Sequence, residues 1–493
     1  MCSHSAFFSA MIVVLICGDH PAARAFAQDV ADEGDGWRQS YDAGYIDENG
    51  AYAGGSEIMH LAPHKDKLFA TNGYWMDERW TRPEYREKQS AQVLRLDKAD
   101  GQWQVDLDLG QSGAGTGDGV DGMCLRYMKG NILKSIRFTR DGQGRELPQP
   151  IQLLVMAAGA HPGRQGVVSV WVRDDDTATW RHTIVLRGLR TGDMRYIPRD
   201  MEVYQDKVTG LERLFLLCGN SGIMSGVYDA SATGKIRWDQ QVEFPREQTL
   251  ATRPLGIAQA NGSLYFSAGN AIYQRRDGTQ PIYRRVLDLG GSVSADLGGV
   301  RGLTAIANPN GTGESLLFVW APRGRSAGTI KRLDPDGDGG FTEHDEANLR
   351  DLMSKKLGRE VLHVLGGYND FYPVTDPKTG ETCHFVGLQG VLASRYHNDE
   401  LMWQPSRYYA GAIYAVRCPD QRYTVQEVAG PYSPGQPALV APRTFALSPF
   451  GDASIFIGGH DANFHPSSDR AWIFRAPIDI AAPHRHELTA PKN

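Results

Sequence analysis

Long apolar runs, cysteines and an excess of either charge are all scarce in this 493-residue chain. Beyond the N-terminus no stretch has the roughly 20 consecutive apolar residues that a membrane-spanning helix needs. Lys and Arg number 52 against 58 Asp and Glu, a net charge of −6. A chain without a basic excess is a poor match for nucleic acid or an anionic membrane, and both are set aside as partners. Glycine is abundant at 56, as many tight turns require.

The one apolar run of note lies at the start. Phe7 to Cys17 forms an apolar core, and Ala25-Phe26-Ala27 fits a small-x-small cleavage site before Gln28. The region before it holds His4 but no Lys or Arg, and Ile16 stands where a lipidated leader needs a small residue before Cys17. Residues 1–27 therefore read as a signal peptide, with a disordered leader as the alternative, and the protein as secreted or periplasmic. Removing the leader takes Cys2 and Cys17 with it and leaves Cys124, Cys218, Cys383 and Cys418, which allow three pairings. Cys383 and Cys418 fall in one repeat unit and are the expected bridge; Cys124 and Cys218 are equally well read as buried thiols.

What is present is a two-stroke phrase that recurs seven times: an apolar run, a turn rich in Gly, Asn, Asp or Lys, and a second apolar run ending in small residues. Ser56 to Leu61 with Lys67 to Ala70, Met201 to Tyr204 with Arg213 to Leu217, and Thr444 to Leu447 with Ser454 to Ile457 are examples. Such runs read as buried strands in hairpins, and a period of roughly 40–60 residues means blades of a propeller. Units begin near residues 54, 132, 199, 253, 301, 369 and 442. The expected fold is all-β, a single-domain seven-bladed β-propeller spanning residues 51–480, with an N-terminal segment at 28–50 and a tail at 481–493. The last unit shows three strands, and the segment from Ser40 to Ile46 is expected to supply a fourth, closing the ring without an exposed edge.

Between the fifth and sixth units lies Asp334-Pro335-Asp336-Gly337-Asp338-Gly339-Gly340-Phe341-Thr342-Glu343-His344-Asp345. Acids at loop positions one, three, five and twelve with Gly at six match a calcium loop. The expected ligands of a structural calcium are Asp334, Asp336, Asp338, Gly340 and Asp345, with a helix following from Glu346 to Leu357. A solvated acidic turn is the alternative; Asp345 stands in place of the usual Glu, and a strand precedes the loop.

Propeller topology places residues just before each innermost strand and just after the second strand around one central funnel. The first set holds Lys134, Arg199, Asp200, Arg253, Arg301, Asn369, Asp370 and Arg443; the second holds Tyr74, Trp75, His161, Asn220, Trp320, Gln389 and His460. Arg is suited to bidentate binding of carboxylate or sulfate, Trp and Tyr to sugar faces, and His to proton transfer near neutral pH. Together they describe a pocket for an acidic sugar. Arg and Asp at strand starts also pair to tie blades together, and Arg199 and Asp200 are open to that reading. His60 and His64, mid-strand or in the far turn, are read as structural. The long segments Tyr74 to Gln89 and Val391 to Ser406 are expected to wall one end of the funnel.

A uronate linked through O4 is cleaved by β-elimination when a base removes the C5 proton, a cation neutralises the carboxylate and an acid protonates the leaving oxygen. The funnel set holds such groups. A secreted propeller with an Arg/His/Tyr funnel resembles the propeller polysaccharide lyases, both the ulvan lyases and those that remove terminal rhamnose from glucuronate in arabinogalactan. The resemblance covers residues from about 50 to 476 and rests on architecture and pocket composition. It implies His460 or His161 as base, Tyr74 as acid, and Arg199, Arg253, Arg301 or Arg443 as carboxylate neutralisers. Arg253, Lys134, Trp75, Asn220, Trp320, Asn369 and Gln389 are the expected substrate-binding residues, and an acidic polysaccharide the expected partner. Two readings compete. One is a metal-dependent hydrolase of phosphotriesterase type, with manganese or another divalent ion held by Glu202, Asp370, His161 and His460. The other is a carbohydrate-binding propeller without activity, against which stands the difference in pocket residues from one unit to the next.

Overall fold

Four of the paired apolar runs form the first two strands of a four-stranded antiparallel meander, one lies in a five-stranded sheet, and the first and last share one eight-stranded sheet. The computed structural model describes residues 36–75, 77, 89–110, 127–160, 165–190, 197–244, 254–290, 298–322, 328–393, 408–428, 439–460 and 469–482. The leader, Cys124, His161, Arg253 and Asp461 lie outside these residues, as does most of the two long segments expected to wall the funnel.

The first sheet runs Glu57–His64, Lys67–Gly73, Gln92–Leu96 and Gln104–Asp108. The next runs Ile132–Arg140, Glu146–Ala160, Gln165–Asp174 and Thr179–Arg190, and is followed by Met201–Gln205, Glu212–Leu217, Ile223–Tyr228 and Ile236–Trp238. Then come Pro254–Ala260, Ser263–Ala268, Ala271–Arg276 and Ile282–Asp288, and after them Gly299–Ala307, Glu314–Ala321, Thr329–Pro335 and Phe341–Asn348. In the following sheet Val361–Gly366 and Tyr372–Thr375 both pair with Thr382–Leu392, which leads to Ile413–Arg417 and Tyr423–Glu427. The last sheet is Ala441–Leu447, Ser454–His460 and Trp472–Pro477, completed by Arg38–Asp42, which pairs antiparallel with Trp472–Pro477. N- and C-terminal strands thus share one sheet, and a sheet edge that would otherwise template foreign strands is covered.

Apolar packing runs between sheets. Every large cluster draws on two successive sheets. One joins Val170 and Leu153 to Leu214 and Met224, and another joins Tyr41 and Ile473 of the last sheet to Leu68 and Leu94 of the first. The clusters follow one another round to the starting sheet, so the architecture is a β-propeller. Trp171, fully buried, meets Tyr127 edge-on at 4.9 Å between the first two sheets. Truncating such a residue costs about 3–5 kcal/mol.

Outside this apolar layer a second repeat recurs. At the end of the third strand an Arg-x-Asp triplet closes on itself: Arg95–Asp97 at 3.0 Å, Arg173–Asp175 at 2.8 Å, Arg275–Asp277 at 2.7 Å and Arg332–Asp334 at 2.7 Å. The same arginines reach further. Arg173 binds Asp106 of the preceding sheet at 2.8 Å, and Arg275 binds Asp206 at 2.7 Å and Glu243 at 2.6 Å. Arg417 likewise binds Glu346 of the sheet before it at 2.7 Å.

This repeat takes up the first expected ligand of the calcium loop. Asp334 is the carboxylate of an Arg-x-Asp triplet. Its Oδ1 accepts from Arg332 and Ser315, and its Oδ2 accepts from Arg332 and Asn310. Asp345 lies on the strand Phe341–Asn348, level with Lys331 rather than with the turn, and pairs with that lysine at 2.5 Å. Asp336 closes the turn on itself, with its Oδ1 accepting from the backbone of Asp338 and Gly340 at 2.9 Å each. The five expected donors do not converge, so these residues do not fit a calcium ion. The segment is a β-hairpin turn. The helix that follows is Leu349–Leu357, shorter than expected, capped by the Asn348 side chain and ended by Gly358 at φ 62°. Glu346 belongs to the preceding strand, its carboxylate held by Arg417, Arg332 and Tyr423. The expected Cys383–Cys418 bridge is also corrected, because Cys218, Cys383 and Cys418 are buried and form no disulfide among the described residues.

Candidate functional site in the central funnel

Irregularities interrupt the innermost strands near the expected funnel residues. Arg443 is the extra residue between the Pro442–Gly459 and Thr444–Gly458 pairings. Met59 is extra between Ile58–Asn72 and His60–Thr71, and the ladder slips again between Arg301 and Thr304. Such bulges bend a strand and redirect its side chains. Gly458 and Gly459 bring the last sheet close: a Cβ on Gly459 would lie 2.2 Å from the Ala441 carbonyl oxygen. His460 follows and pairs, backbone to backbone, with Glu57 of the first sheet.

A cationic cluster forms there. Glu57 is fully buried; Lys129 Nζ lies 2.8 Å from its Oε1, and Arg443 donates to its Oε2. Burial alone would push the Glu57 carboxyl up, but Lys129, Arg443 and His460 outweigh it and hold it low. Lys129 Nζ stands 4.6 Å over the ring of Trp75, which is 42 % exposed. The ring of Tyr368 lies between two guanidinium groups, Arg443 at 4.6 Å and Arg301 at 4.9 Å. Its hydroxyl donates to Gln389 Oε1, and His460 meets its ring at 6.3 Å, nearly perpendicular. Burial, reinforced by Arg443 and Lys129 and opposed by Glu57, lowers the His460 pKa to about 3, so the imidazole is neutral at neutral pH. Burial and Glu57 act in opposition on Lys129, whose pKa falls to about 8. Burial raises the Tyr368 phenol while both arginines pull it down.

An acidic cluster lies beside it. Lys134 Nζ is held by Asp200 Oδ1 at 2.5 Å, Asp370 Oδ2 at 3.1 Å and the Met201 carbonyl at 3.1 Å. Burial raises Asp370 to about 7, with Asp200 adding to the effect and Lys134 opposing it. Glu202 also rises to about 7, again chiefly by burial. His60 joins the two clusters electrostatically: burial lowers its pKa to about 3, and the charges of Lys134 and Arg443 push the same way.

Of the residues expected from sequence, His460, Arg301, Arg443 and Gln389 meet around Tyr368. Lys134 and Asn369 lie on the acidic side, where Asn369 Nδ2 donates to the Met59 carbonyl at 2.8 Å. Trp75 flanks Lys129, and the charge of Arg199 is near enough to lower the Lys129 pKa. Tyr74 is corrected. It is fully buried just past the end of its strand, and its hydroxyl donates to Gln89 Oε1 at 2.9 Å, while the next residue, Trp75, is exposed. Trp320 is corrected too, since it packs with Val300, Leu303 and Ala258 in an apolar cluster between sheets. Asn220 falls in the short 3-10 turn Gly219–Ser221. Sequence reasoning missed Tyr368 and Lys129 and took His60 as structural. The run Gly366-Gly367-Tyr368 directly before the noted Asn369 and Asp370 was the available signal for Tyr368. Among the described residues no three His, Cys, Asp or Glu side chains gather as a metal-holding set.

No family model matches this chain, and no curated protein does. Solved structures give distant likenesses. An ulvan lyase bound to a -[GlcA(1-4)Rha3S]- unit is 9 % identical, with a TM-score of 0.42, over 90 % of this chain and 98 % of that one. The Dos1 propeller is 10 % identical, with a TM-score of 0.39, over 86 % and 93 %. An α-L-arabinofuranosidase from Fusarium graminearum is 12 % identical, with a TM-score of 0.35, over 73 % and 93 %.

Proposed function

We propose that this chain is a seven-bladed propeller whose central funnel cleaves a uronate-containing glycan by β-elimination. The observation that carries the reading is the stack of Tyr368 between the Arg301 and Arg443 guanidinium groups, with a neutral His460 at right angles to it. Lys129 and Arg443 bring two positive charges to the single carboxylate of Glu57. The remaining positive charge suits the carboxylate of a uronate and the enolate-like charge that grows on it during proton loss. His460, uncharged at neutral pH, is able to accept the C5 proton. Tyr368, its hydroxyl committed to Gln389, packs its ring against both arginines. The exposed Trp75 face beside Lys129 suits stacking against a sugar ring. Export of the protein rests on the leader alone; among the described residues no helix is long and apolar enough to cross a membrane.

A second reading has its own observation. Burial raises Asp370 and Glu202 to about 7, so each is partly protonated near neutral pH, as the general acid of a glycoside hydrolase is. A screen of purified protein on acidic polysaccharides separates the two. Elimination gives new ultraviolet absorbance from an unsaturated uronate, lost in His460→Ala and Tyr368→Phe. Hydrolysis gives reducing ends without that absorbance, and reducing ends alone would replace the lyase reading.

A further inference from the structure

Elimination and hydrolysis share one requirement, a proton for the oxygen that leaves. We propose that Asp370 supplies it, an assignment that rests on the reading of the funnel as a glycan-cleaving site. The turn from Gly366 to Asp370 runs between the two charged clusters. It carries Tyr368 to Arg301 and Arg443 at one end and Asp370 to Lys134 at the other. The turn is fixed along its length. Asn369 Nδ2 bonds the Met59 carbonyl, Phe371 N donates to Thr304 Oγ1 at 2.9 Å, and a Cβ on Gly302 would lie 2.7 Å from the Asn369 carbonyl oxygen. Tyr368, which meets the two guanidinium groups, and Asp370, which meets Lys134, are therefore two apart on one turn.

The neighbouring carboxylates are less suited. Asp200 has both oxygens committed: Oδ1 to Lys134 and the Met201 N–H at 2.8 Å, Oδ2 to the Ile257 N–H at 3.1 Å, with the side chain only 4 % exposed. Asp370 binds Lys134 through Oδ2 alone, and its side chain stays 32 % exposed. Glu202 lies on the strand Met201–Gln205 and has no bond to Lys134. The charged groups facing Asp370 are Asp200 and Glu202, which favour its protonated form, and Lys134, which opposes it. Burial, together with these charges, raises the carboxyl to about 7, so it is partly protonated near neutral pH and able to give that proton up.

In the elimination His460 takes the C5 proton, and the electrons of that C–H bond form the C4–C5 double bond. The C4–O bond breaks with its electron pair on oxygen, and oxygen takes the proton of the Asp370 carboxyl. Loss of the His460 proton to water and return of one to Asp370 restore the enzyme, and no oxidant or cofactor enters the balance.

The test compares a glycan with a synthetic uronide carrying a nitrophenoxy group at C4, whose departure needs no proton. In Asp370→Asn, kcat on the glycan is expected to fall about 100- to 1,000-fold while that on the nitrophenoxy substrate changes less than about fivefold. The alkaline limb of the glycan pH profile, set near pH 7 in the parent, is lost. Lys134→Met, a second variant that keeps the acid, moves that limb to higher pH, because the cation that favours ionisation is gone. An equal loss on both substrates, or an alkaline limb unmoved by either variant, overturns the assignment. A parent protein that cleaves neither substrate overturns the cleavage reading itself.

Discussion

Arg275 and Arg443 face opposite charge ratios. Arg275 is surrounded by three carboxylates, Asp206, Glu243 and Asp277. Arg443 shares one carboxylate, Glu57, with Lys129. The first arrangement leaves no positive charge to offer and acts as a tie between sheets. The second leaves a charge that a ligand can complete. A residue type alone does not distinguish a brace from a binding group; the local count of opposite charges does.

The largest effect expected from this contrast is on stability, at the tie. Arg275 has a side chain only 2 % exposed, and replacing it by Met strands three carboxylates around an apolar group. Removing one partner of a buried ion-pair network costs about 3–5 kcal/mol. Urea unfolding of Arg275→Met is expected to show that loss with the fold otherwise intact. A loss below about 1 kcal/mol would mean that the carboxylates relax into solvent, and the contrast with the funnel would weaken.

The matching substitution in the funnel exchanges the two readouts. Arg443→Met leaves Glu57 with Lys129, still a balanced pair, so the stability cost is expected to stay below about 2 kcal/mol. Activity on a uronate glycan is expected to fall about 100-fold or more, as for loss of a group that stabilises charge in the transition state. A variant as unstable as Arg275→Met, with activity per folded molecule unchanged, would make Arg443 a brace.

How far the sequence revealed these regions follows from what strands hide. Paired apolar runs bounded by turn residues located the hairpins and hence the ring, and the glycines before His460 marked a close approach that the structure contains. Funnel residues were harder, because position at a strand end does not settle direction. Tyr74 and Trp75 are neighbours, yet one is buried and the other 42 % exposed. Bulges at Met59 and Arg443 break the alternation, which is why His60 looked like a wall residue. Tyr368 and Lys129 lie outside strands, where no periodicity marks them. The Arg-x-Asp triplets were legible in the sequence as written. They recur at matching strand ends, and only their role as ties needed coordinates.

Acid should separate the regions next. His460 and His60 are held near pKa 3 in the folded protein, against an ordinary 6.5. Their folded values are depressed, so the stability they contribute is complete above pH 6.5 and is lost as pH falls towards 3. Each contributes a slope of up to about 1.4 kcal/mol per pH unit across that window. Unfolding free energies measured between pH 7 and pH 4 are expected to decline less steeply in a His60→Gln, His460→Gln double variant. Parallel declines would place the acid sensitivity in the outer carboxylates instead.

The smallest contrast lies within one turn. Asp334 and Asp338 are four residues apart in what reads as a calcium loop, yet the structure gives them unequal roles. Asp334 is buried and bonded to Arg332, Ser315 and Asn310, and Asp338 is exposed. Under a shared calcium site both substitutions would lower the melting temperature, and a chelator would do the same to the parent. Under the triplet reading Asp334→Asn costs about 1–3 kcal/mol, because Arg332 loses its nearest acceptor, whereas Asp338→Asn stays within about 0.5 kcal/mol and the chelator changes nothing. Equal losses from the two variants, restored by added calcium, would return the loop to its first reading. Asp334 would then serve a metal as well as its arginine, and the outer ring could no longer be described as ties alone.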